Sequence, residues 1–173
     1  MSNIDTIAYA RAGQIFVASN VSAKIVTVVG TVMTGLILTN PTGSGKYLAF
    51  LSAQFAMTTT PTAEITVALA VSAVQPVVPA SVTVGSAVIA NANGASGTGV
   101  ADAADVATLG VACVARRWLA AMSFGTDVAS TPYMWNDKID GELGLMPGAS
   151  AAFAFIGSAP TGMGSITYVE VTL

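Results

Sequence analysis

The chain has 173 residues, enough for one domain with a sizeable core. Its charged residues amount to 9% against roughly 25% in ordinary soluble domains, and its apolar residues to 53%. A formal charge of −3 and six scattered basic residues exclude a stripe that tracks nucleic acid. So few charges predict that apolar surface is buried against identical copies or a larger assembly.

The long uncharged stretches do not indicate a membrane span. Residues 25–45 are interrupted by glycines and an asparagine, and residues 65–101 by prolines and polar side chains. Neither stretch contains a run of about 20 apolar residues, which a spanning helix requires. The first residues also lack the basic and apolar regions of a signal peptide, so we expect no membrane partner.

Residues 1–13 predict an N-terminal arm that docks on a neighbouring molecule. They show no strong periodicity and end at Gly13, and arms of this kind order on a partner. Tyr9 and Arg11 within the arm are candidate interface residues. From residue 14 to residue 173 we predict one domain.

The β pattern begins directly after the arm. Short runs rich in β-branched residues cover residues 14–19, 23–29 and 31–39, and an asparagine and two glycines separate them. Each run is too short for a stable helix, so we predict three strands.

The segment Asn40-Pro41-Thr42-Gly43-Ser44-Gly45-Lys46 holds the densest turn chemistry of the chain. Proline fixes one φ and the glycines permit reversal, so we predict a hairpin-like corner leading into a strand over residues 47–57. The Gly-Lys pair superficially resembles a phosphate-binding loop. Such a loop needs a glycine where Asn40 stands and a serine or threonine where Tyr47 stands, so the turn is favoured.

Residues 64–72 alternate in hydrophobicity and predict a half-buried strand. Ile65, Val67, Leu69 and Val71 share one face, while the other face carries alanines and polar residues. An extended connector is predicted over residues 75–79, where two prolines occur. Residues 81–89 again show the two-residue alternation of a strand, so we predict the next strand there.

The glycine-rich residues 91–99 predict a flexible surface loop. A plausible helical turn follows, capped by Asp102. The combination suggests a dinucleotide fingerprint, but Asp102 stands where its third glycine belongs and no βαβ units surround it. We therefore predict no nucleotide site here.

Residues 106–122 suit a helix through their alanines and a strand through Gly110 and the apolar run that follows. We predict a strand, because the remainder of the chain is β. Cys113 is the single cysteine, so it cannot form an intramolecular disulfide and is predicted to be buried. Arg116, Arg117 and Trp118 are candidate interface residues, since arginine and tryptophan are enriched in subunit contacts.

The last third of the chain predicts four more strands. Residues 133–139 and 142–146 flank Asp140-Gly141, a dipeptide that favours a two-residue hairpin. Pro147-Gly148 predicts the next turn, and strands follow at residues 151–156 and 165–173. Altogether, about eight to ten short strands predict an all-β fold, an antiparallel β-sandwich or jelly roll with an N-terminal arm.

The sequence carries little catalytic chemistry. It has no histidine, which excludes histidine-dependent triads and the usual imidazole-bound metals. Asp137, Asp140 and Glu142 could hold calcium or pair as glycosidase carboxylates. However, the spacing of an EF-hand is absent, Lys138 lies inside the cluster and Asp140 already belongs to the expected turn. We predict no catalytic residue, no cofactor and no metal.

Turn and strand motifs recur through most of the chain. They are Gly35-Leu36-x-Leu38-x-Asn40-Pro41-x-Gly43-Ser44-Gly45-Lys46, Thr60-Pro61, Asp137-x-Ile139-Asp140-Gly141-x-Leu143, Pro147-Gly148-Ala149 and the closing Tyr168-Val-Glu-Val. With these motifs the chain resembles a group of small virion proteins from tailed bacteriophages. It departs from them over residues 106–118.

The resemblance implies a β-rich, jelly-roll-like accessory structural protein, similar to capsid decoration or cement proteins and to head-fibre bases, usually a homotrimer. The expected function is non-enzymatic: the protein would bind the major capsid protein and stabilise its lattice from the capsid exterior, after synthesis in the host cytoplasm. A tail, baseplate or receptor-binding module is the alternative, and would be expected to expose aromatic clusters. A depolymerase is disfavoured because the acidic residues are few and scattered.

Overall fold

The computed structural model describes residues 5–26, 32–59, 64–72, 87–91, 99–112, 114–122, 134–157 and 160–173. In this part of the chain one short helix precedes twelve strands. The bounds are α1 Thr6–Arg11, β1 Ile15–Asn20, β2 Lys24–Ile25, β3 Val32–Thr39, β4 Lys46–Met57, β5 Ile65–Ser72, β6 Ala87–Asn91, β7 Asp102–Ala112, β8 Val114–Met122, β9 Met134–Lys138, β10 Gly144–Leu145, β11 Ser150–Gly157 and β12 Thr161–Thr172. None of the described residues belongs to a helix with the length and apolarity that crossing a bilayer requires.

The described strands form two antiparallel sheets. Sheet A has the order β10-β4-β12-β1-β6, with β9 also paired to β4 and β2 to β12, and sheet B has the order β7-β3-β11-β5-β8. β1 and β2 both pair with β12, and β9 and β10 both pair with β4. Both interruptions fall between strands that were predicted separately; an additional strand arises where residues 106–122 divide into β7 and β8.

Pairing between the strands is nested along the chain. β1 pairs with β12, β3 with β11, β4 with β9 and β5 with β8. In a jelly roll, one long antiparallel hairpin is wound so that its strand pairs are divided between two sheets, and strands early in the chain pair with strands late in the chain. The strand pairs of this chain show that arrangement. β6 and β7 extend the sheets beside β1 and β3. The prediction of an all-β antiparallel sandwich is confirmed.

The core lies between the two sheets and is aromatic at its centre. Phe55 of β4 contacts the rings of Phe153 and Phe155 of β11, with centroids 5.3 and 5.0 Å apart. Trp135 of β9 lies 6.2 Å from Phe55. Tilted and edge-on rings at such distances add about 0.5–1.5 kcal/mol per pair beyond their area burial. This cluster joins sheet A to sheet B.

Two glycines of β12 make room for these rings. A Cβ atom on Gly164 would lie 2.5 Å from Cε2 of Phe153, and one on Gly162 would overlap the ring of Phe55. Met163 stands between them and is directed away from the core, 40% exposed. These two glycines therefore allow close packing inside a strand, and neither of them forms a turn.

The predicted helical turn at Asp102 is wrong. β7 begins at Asp102, which pairs with Thr39, and its pairing with β3 continues to Ala112. A ladder of backbone hydrogen bonds along a whole strand outweighs one side-chain cap, which contributes about 1 kcal/mol. Residues 106–122 are β, as predicted, but they are divided between two strands, β7 and β8, at opposite edges of sheet B, and Cys113 lies outside the described residues.

The strand predicted over residues 64–72 is confirmed as β5, but it is buried on both faces at its centre. Val67 and Leu69 face the core, and Ala68 and Ala70 on the other face are also fully buried. A methyl group stands little above the backbone, so longer neighbours can screen it from water. The connector over residues 75–79, residues 81–86 of the next strand and residues 92–98 of the glycine-rich loop lie outside the described residues.

Replacing Gly164 by alanine should lower the free energy of unfolding by about 1–3 kcal/mol, because the added methyl group meets a packed ring that cannot move freely. Ser165→Ala is the matched control, since Ser165 is half-buried on the opposite face. It should change stability by no more than about 0.5 kcal/mol. Urea denaturation measures both. Equal stability of the two variants would contradict the packing role of Gly164.

Candidate interaction surface

Asn40 is fully buried at the end of β3 and joins two turns that are distant in sequence. Its backbone N–H donates to the Ala149 carbonyl at 2.9 Å, and its carbonyl accepts from the Gly148 N–H at 2.8 Å. Its side-chain Nδ2 donates to the carbonyls of Lys46 at 2.8 Å and Leu145 at 2.9 Å. Asparagine supplies both amide donors that this site requires.

The first turn is closed by Ser44. The Ser44 hydroxyl donates to Oδ1 of Asn40 at 2.7 Å, and the Ser44 N–H donates to the Pro41 carbonyl at 3.1 Å. Gly43 has φ +80°, the left-handed value that a type II turn needs at its third position. The predicted turn is thus confirmed, with Asn40 as its internal support, but it is not hairpin-like: β3 and β4 belong to different sheets, so the turn leads the chain from sheet B to sheet A.

The second turn is the predicted Pro147-Gly148 turn. The Ala149 N–H donates to the Met146 carbonyl at 3.1 Å, and Gly148 has φ +85°. Met146 is 54% exposed. We name the solvent-facing part of the two turns the corner surface; it consists of Pro41, Thr42, Gly43, Met146 and Pro147. Loops on a rigid β scaffold are frequent sites of binding.

The hairpin predicted at Asp140-Gly141 is wrong. β9 and β10 run in the same direction along β4, so these residues form an interruption within one strand. Asp140 has φ 51° and Gly141 φ 82°, values that an Asx-Gly pair adopts readily. Backbone preference alone cannot distinguish a hairpin from a bulged strand.

A β-bulge in β4 explains this interruption. Thr167 pairs with Ser52 and Tyr168 with Phe50, which leaves Leu51 as an extra residue. The Leu51 carbonyl accepts from the backbone N–H groups of Ile139 at 2.8 Å and Asp140 at 3.1 Å. The interruption therefore satisfies a polar group that the bulge removes from the ladder.

The acidic residues do not converge on a metal site. No group of three or more metal-ligating side chains occurs among the described residues, which include Asp137, Asp140 and Glu142. Asp140 instead forms an ion pair with Lys138, at 2.9 Å. Both side chains are more than half exposed, so this pair stabilises the fold by at most about 1 kcal/mol.

Residues 5–13 form a capped helix, which the sequence analysis did not predict. Asp5 caps α1 by accepting from the Ala8 N–H at 3.0 Å. The Gly13 N–H donates to the Ala10 carbonyl at 3.0 Å and the Gln14 N–H to the Tyr9 carbonyl at 2.9 Å. With Gly13 at φ 69°, these two bonds form a Schellman motif, which returns the chain directly to β1.

α1 packs on the outer face of sheet A of its own chain. Tyr9 and Ala10 contact a small apolar cluster formed by Ile15, Ala49 and Val169. Tyr9 is therefore half-buried within the molecule, whereas Arg11 is exposed at the end of α1. No residue of α1 is fully buried, so the helix adds little to the main core.

The other predicted interface residues lie in a different sheet. Trp118 and Arg117 belong to β8 and pair with Ala68 and Leu69 of β5, and Arg116 falls at an irregularity in that pairing. Tyr9 and Arg11 are on the sheet A side. The five candidate residues therefore belong to two separate regions.

An exposed apolar row crosses the end of sheet A that is remote from Asn40. Met134 of β9, Ala56 of β4 and Met163 of β12 are opposed in register, and Ile25 of β2 is paired with Thr161. Met134 is 70% exposed and Ile25 64%. We name Ile25, Ala56, Met134 and Met163 the methionine strip. The described side chains that border it on β4, β9 and β12 are uncharged: Gln54, Thr58, Asn136, Thr161 and Ser165.

Sequence reasoning missed the methionine strip because its members are distant along the chain. Strand register alone brings them to one row. The helix α1 did leave signals, namely Asp5 at the cap position and Gly13 just past the end. We did not predict a helix from these signals, because a helix of six residues is too short to show a clear apolar period.

No protein family, curated protein or solved structure matches this chain. A β-sandwich supports many unrelated functions. Function is therefore inferred from the surfaces and composition of the chain itself.

Replacing Asn40 by aspartate should lower the free energy of unfolding by about 3–5 kcal/mol. The substitution puts a buried carboxylate against two carbonyls that lose their donors. Protonation restores one donor, so the deficit should shrink in acidic buffer. Chemical denaturation at neutral and acidic pH measures both effects.

Ser44→Ala is the matched control for this substitution. It removes the hydrogen bond to Oδ1 and the longer one that the Ser44 hydroxyl accepts from the Lys46 N–H at 3.3 Å, and should cost about 1–2 kcal/mol, with little dependence on pH. A similar cost for the two variants would show that the amide donors of Asn40 do not support the corner.

Burial raises the pKa of Tyr47 above its ordinary value of about 10. The unfolded chain therefore loses the Tyr47 hydroxyl proton at a lower pH than the folded chain does. The free energy of unfolding falls as pH rises above about 10. Tyr47→Phe retains the ring and removes the ionisation. Its melting temperature should decline less between about pH 9 and pH 11 than that of the wild type. Parallel declines would exclude Tyr47 as a source of alkaline instability.

Proposed function

We propose that this protein is a non-enzymatic structural component of a tailed-bacteriophage virion, a decoration protein that binds the major capsid protein lattice and stabilises it. The observation that carries this proposal is the nested jelly-roll pairing of its strands, an architecture that viral capsid proteins use. The low content of charged residues, 9%, supports a protein that works within an assembly.

The positions of the resemblance motifs support the same proposal. Asn40 in the first motif is hydrogen bonded to Leu145 and Ala149, next to and within the Pro147-Gly148-Ala149 motif. Leu143, which ends the Asp137 motif, accepts from the Phe50 N–H at 2.9 Å. Motifs far apart in sequence thus meet around one end of the sandwich, where they present two ordered turns to a partner.

The exposed side chains favour contact with protein over stacking on sugar rings. The large apolar side chains that stand out from the described residues are aliphatic or methionine: Ile7, Val21, Ile25, Met134, Met146, Ile156, Met163 and Leu173. Methionine adapts its shape to an irregular protein surface. A tail or receptor-binding module that stacks on glycans would use exposed aromatic rings, whereas these aliphatic and methionine side chains suit contact with a capsid protein.

Decoration also suits weak individual contacts. Many copies bound to one lattice act together, so the particle gains stability although each contact is modest. We propose that the protein functions as a homo-oligomer, the trimer that the resemblance implies, with the capsid protein as its partner.

The location of the protein in a particle tests this proposal. Heads and tails of purified virions are separated, and the protein is identified in each fraction by mass spectrometry and gold-labelled antibody. We expect it in the head fraction, on the outer surface. Recovery in the tail fraction would overturn the decoration function and favour the baseplate or receptor-binding alternative.

Deleting residues 1–13 should leave the sandwich folded, because no residue of α1 is fully buried. The truncated protein should keep its oligomeric mass but fail to add to capsids stripped of it, since the arm contributes contact area without supporting the core. Light scattering and co-sedimentation with stripped capsids measure these properties.

Tyr9→Ser is the matched variant for this deletion, because it weakens the docking of α1 and keeps the arm. It should still bind capsids. If the truncated protein falls to monomers, the arm is a structural element between subunits, and attachment must be sought at Arg116, Arg117 and Trp118.

A further inference from the structure

The outward side of α1 carries side chains that the fold itself does not use. Successive residues of an α-helix are turned by about 100°, so Ile7, Ala8 and Arg11 lie on one side of α1. Tyr9 and Ala10 lie on the other side and contact sheet A. The three outward residues are exposed, and Ile7 is 66% exposed. We name Ile7, Ala8 and Arg11 the arm face.

The charge of Arg11 is not neutralised by the fold. Within the described part of the chain Arg11 forms no ion pair, whereas Lys138 is paired with Asp140 at 2.9 Å. Its place in the last turn suits the negative end of the helix dipole, but that role requires no apolar neighbour. Ile7 and Arg11 stand at the i, i+4 spacing by which a helix presents two side chains to one groove.

We propose that the arm face binds a shallow apolar hollow on the capsid protein with a carboxylate at its rim, an inference that rests on the proposed decoration function. Ile7 enters the hollow, and the Arg11 guanidinium pairs with the carboxylate through two parallel N–H···O bonds. The Cβ atoms of the two residues are about 5–6 Å apart, so the carboxylate borders the hollow. Ala8 is small and lets the helix approach the partner closely.

α1 is held in place for this contact at both ends. Asp5 caps its start by accepting from the Ala8 N–H at 3.0 Å, and the backbone bonds from Gly13 and Gln14 close its end. A helix of six residues is unstable in isolation. The caps and the contact of Tyr9 with sheet A therefore order the arm before a partner arrives, so less conformational entropy is lost on binding.

The charge distribution favours an acidic partner at this face. A chain with a formal charge of −3 is repelled by an acidic surface, and the repulsion is weakest where a cation projects. Arg11 provides such a position at the end of α1, while Asp5 lies at the other end, about 9 Å away along the axis. Charge complementarity of this kind orients the encounter more than it adds affinity, and Ile7 supplies the apolar contact.

Titration of stripped capsids with full-chain variants tests the contact. Ile7→Gln and Arg11→Gln should each bind at least tenfold more weakly than the wild type, since each removes one anchor and glutamine suits a helix. The matched controls are Ile25→Gln, at an isoleucine that is 64% exposed, and Lys138→Gln, which removes one positive charge elsewhere. Both controls should bind like the wild type, and thermal melting confirms that all four variants fold.

Salt separates the two anchors. Wild-type binding should weaken as ionic strength rises, and Ile7→Gln should retain this dependence, whereas Arg11→Gln should lose most of it. An Arg11→Gln variant with the salt dependence of the wild type would overturn the proposal. A lower oligomeric mass of Ile7→Gln in light scattering would also overturn it, because the arm face would then lie between copies of this chain.

The binding data distinguish this inference from the proposed function. If the wild type does not add to stripped capsids, the decoration function fails and the arm-face contact fails with it. If the wild type adds and either Ile7→Gln or Arg11→Gln binds equally well, the arm face is not the contact, while decoration stands. The same conclusion follows if the controls Ile25→Gln and Lys138→Gln lose as much binding.

Discussion

The hydrogen bonds of Asn40 are the constraint on which one end of the sandwich depends. Its backbone follows β3 and bonds to the segment that enters β11, while its side chain holds the start of β4 and the end of β10. β3 and β11 belong to sheet B, and β4 and β10 belong to sheet A. A single buried amide therefore joins both sheets. Because an unsatisfied buried group costs about 1–3 kcal/mol, the site tolerates few other side chains.

Two irregular positions of sheet A are matched across neighbouring strands. The bulge at Leu51 meets the interruption at Asp140, whose N–H bonds to the freed carbonyl. The gap between β1 and β2 is closed in a similar manner, since Oδ1 of Asn20 accepts from the Gly164 N–H at 2.7 Å. Each of these two departures from a regular ladder therefore has a partner that satisfies it, and the two pairs help to fix the register of sheet A.

Much of the fold could be predicted from short stretches of sequence, because turn residues and the alternation of apolar side chains along a strand depend on only a few neighbouring residues. The corner at Asn40 and the strand over residues 47–57 follow from such signals, and both are confirmed. The hairpin at Asp140 and the helical turn at Asp102 were wrong, since the deciding interactions come from β4 and β3, distant in sequence. Prediction of the site was weaker: Tyr9 docks on its own chain, and the methionine strip exists only through register.

The two exposed surfaces lie at opposite ends of sheet A. β4 begins at Lys46, beside the corner, and reaches the methionine strip at Ala56, so the two are separated by roughly 33 Å at 3.3 Å per residue. α1 covers Ala49, closer to the corner than to the strip. A partner bound at the corner or at the arm would therefore leave the strip free.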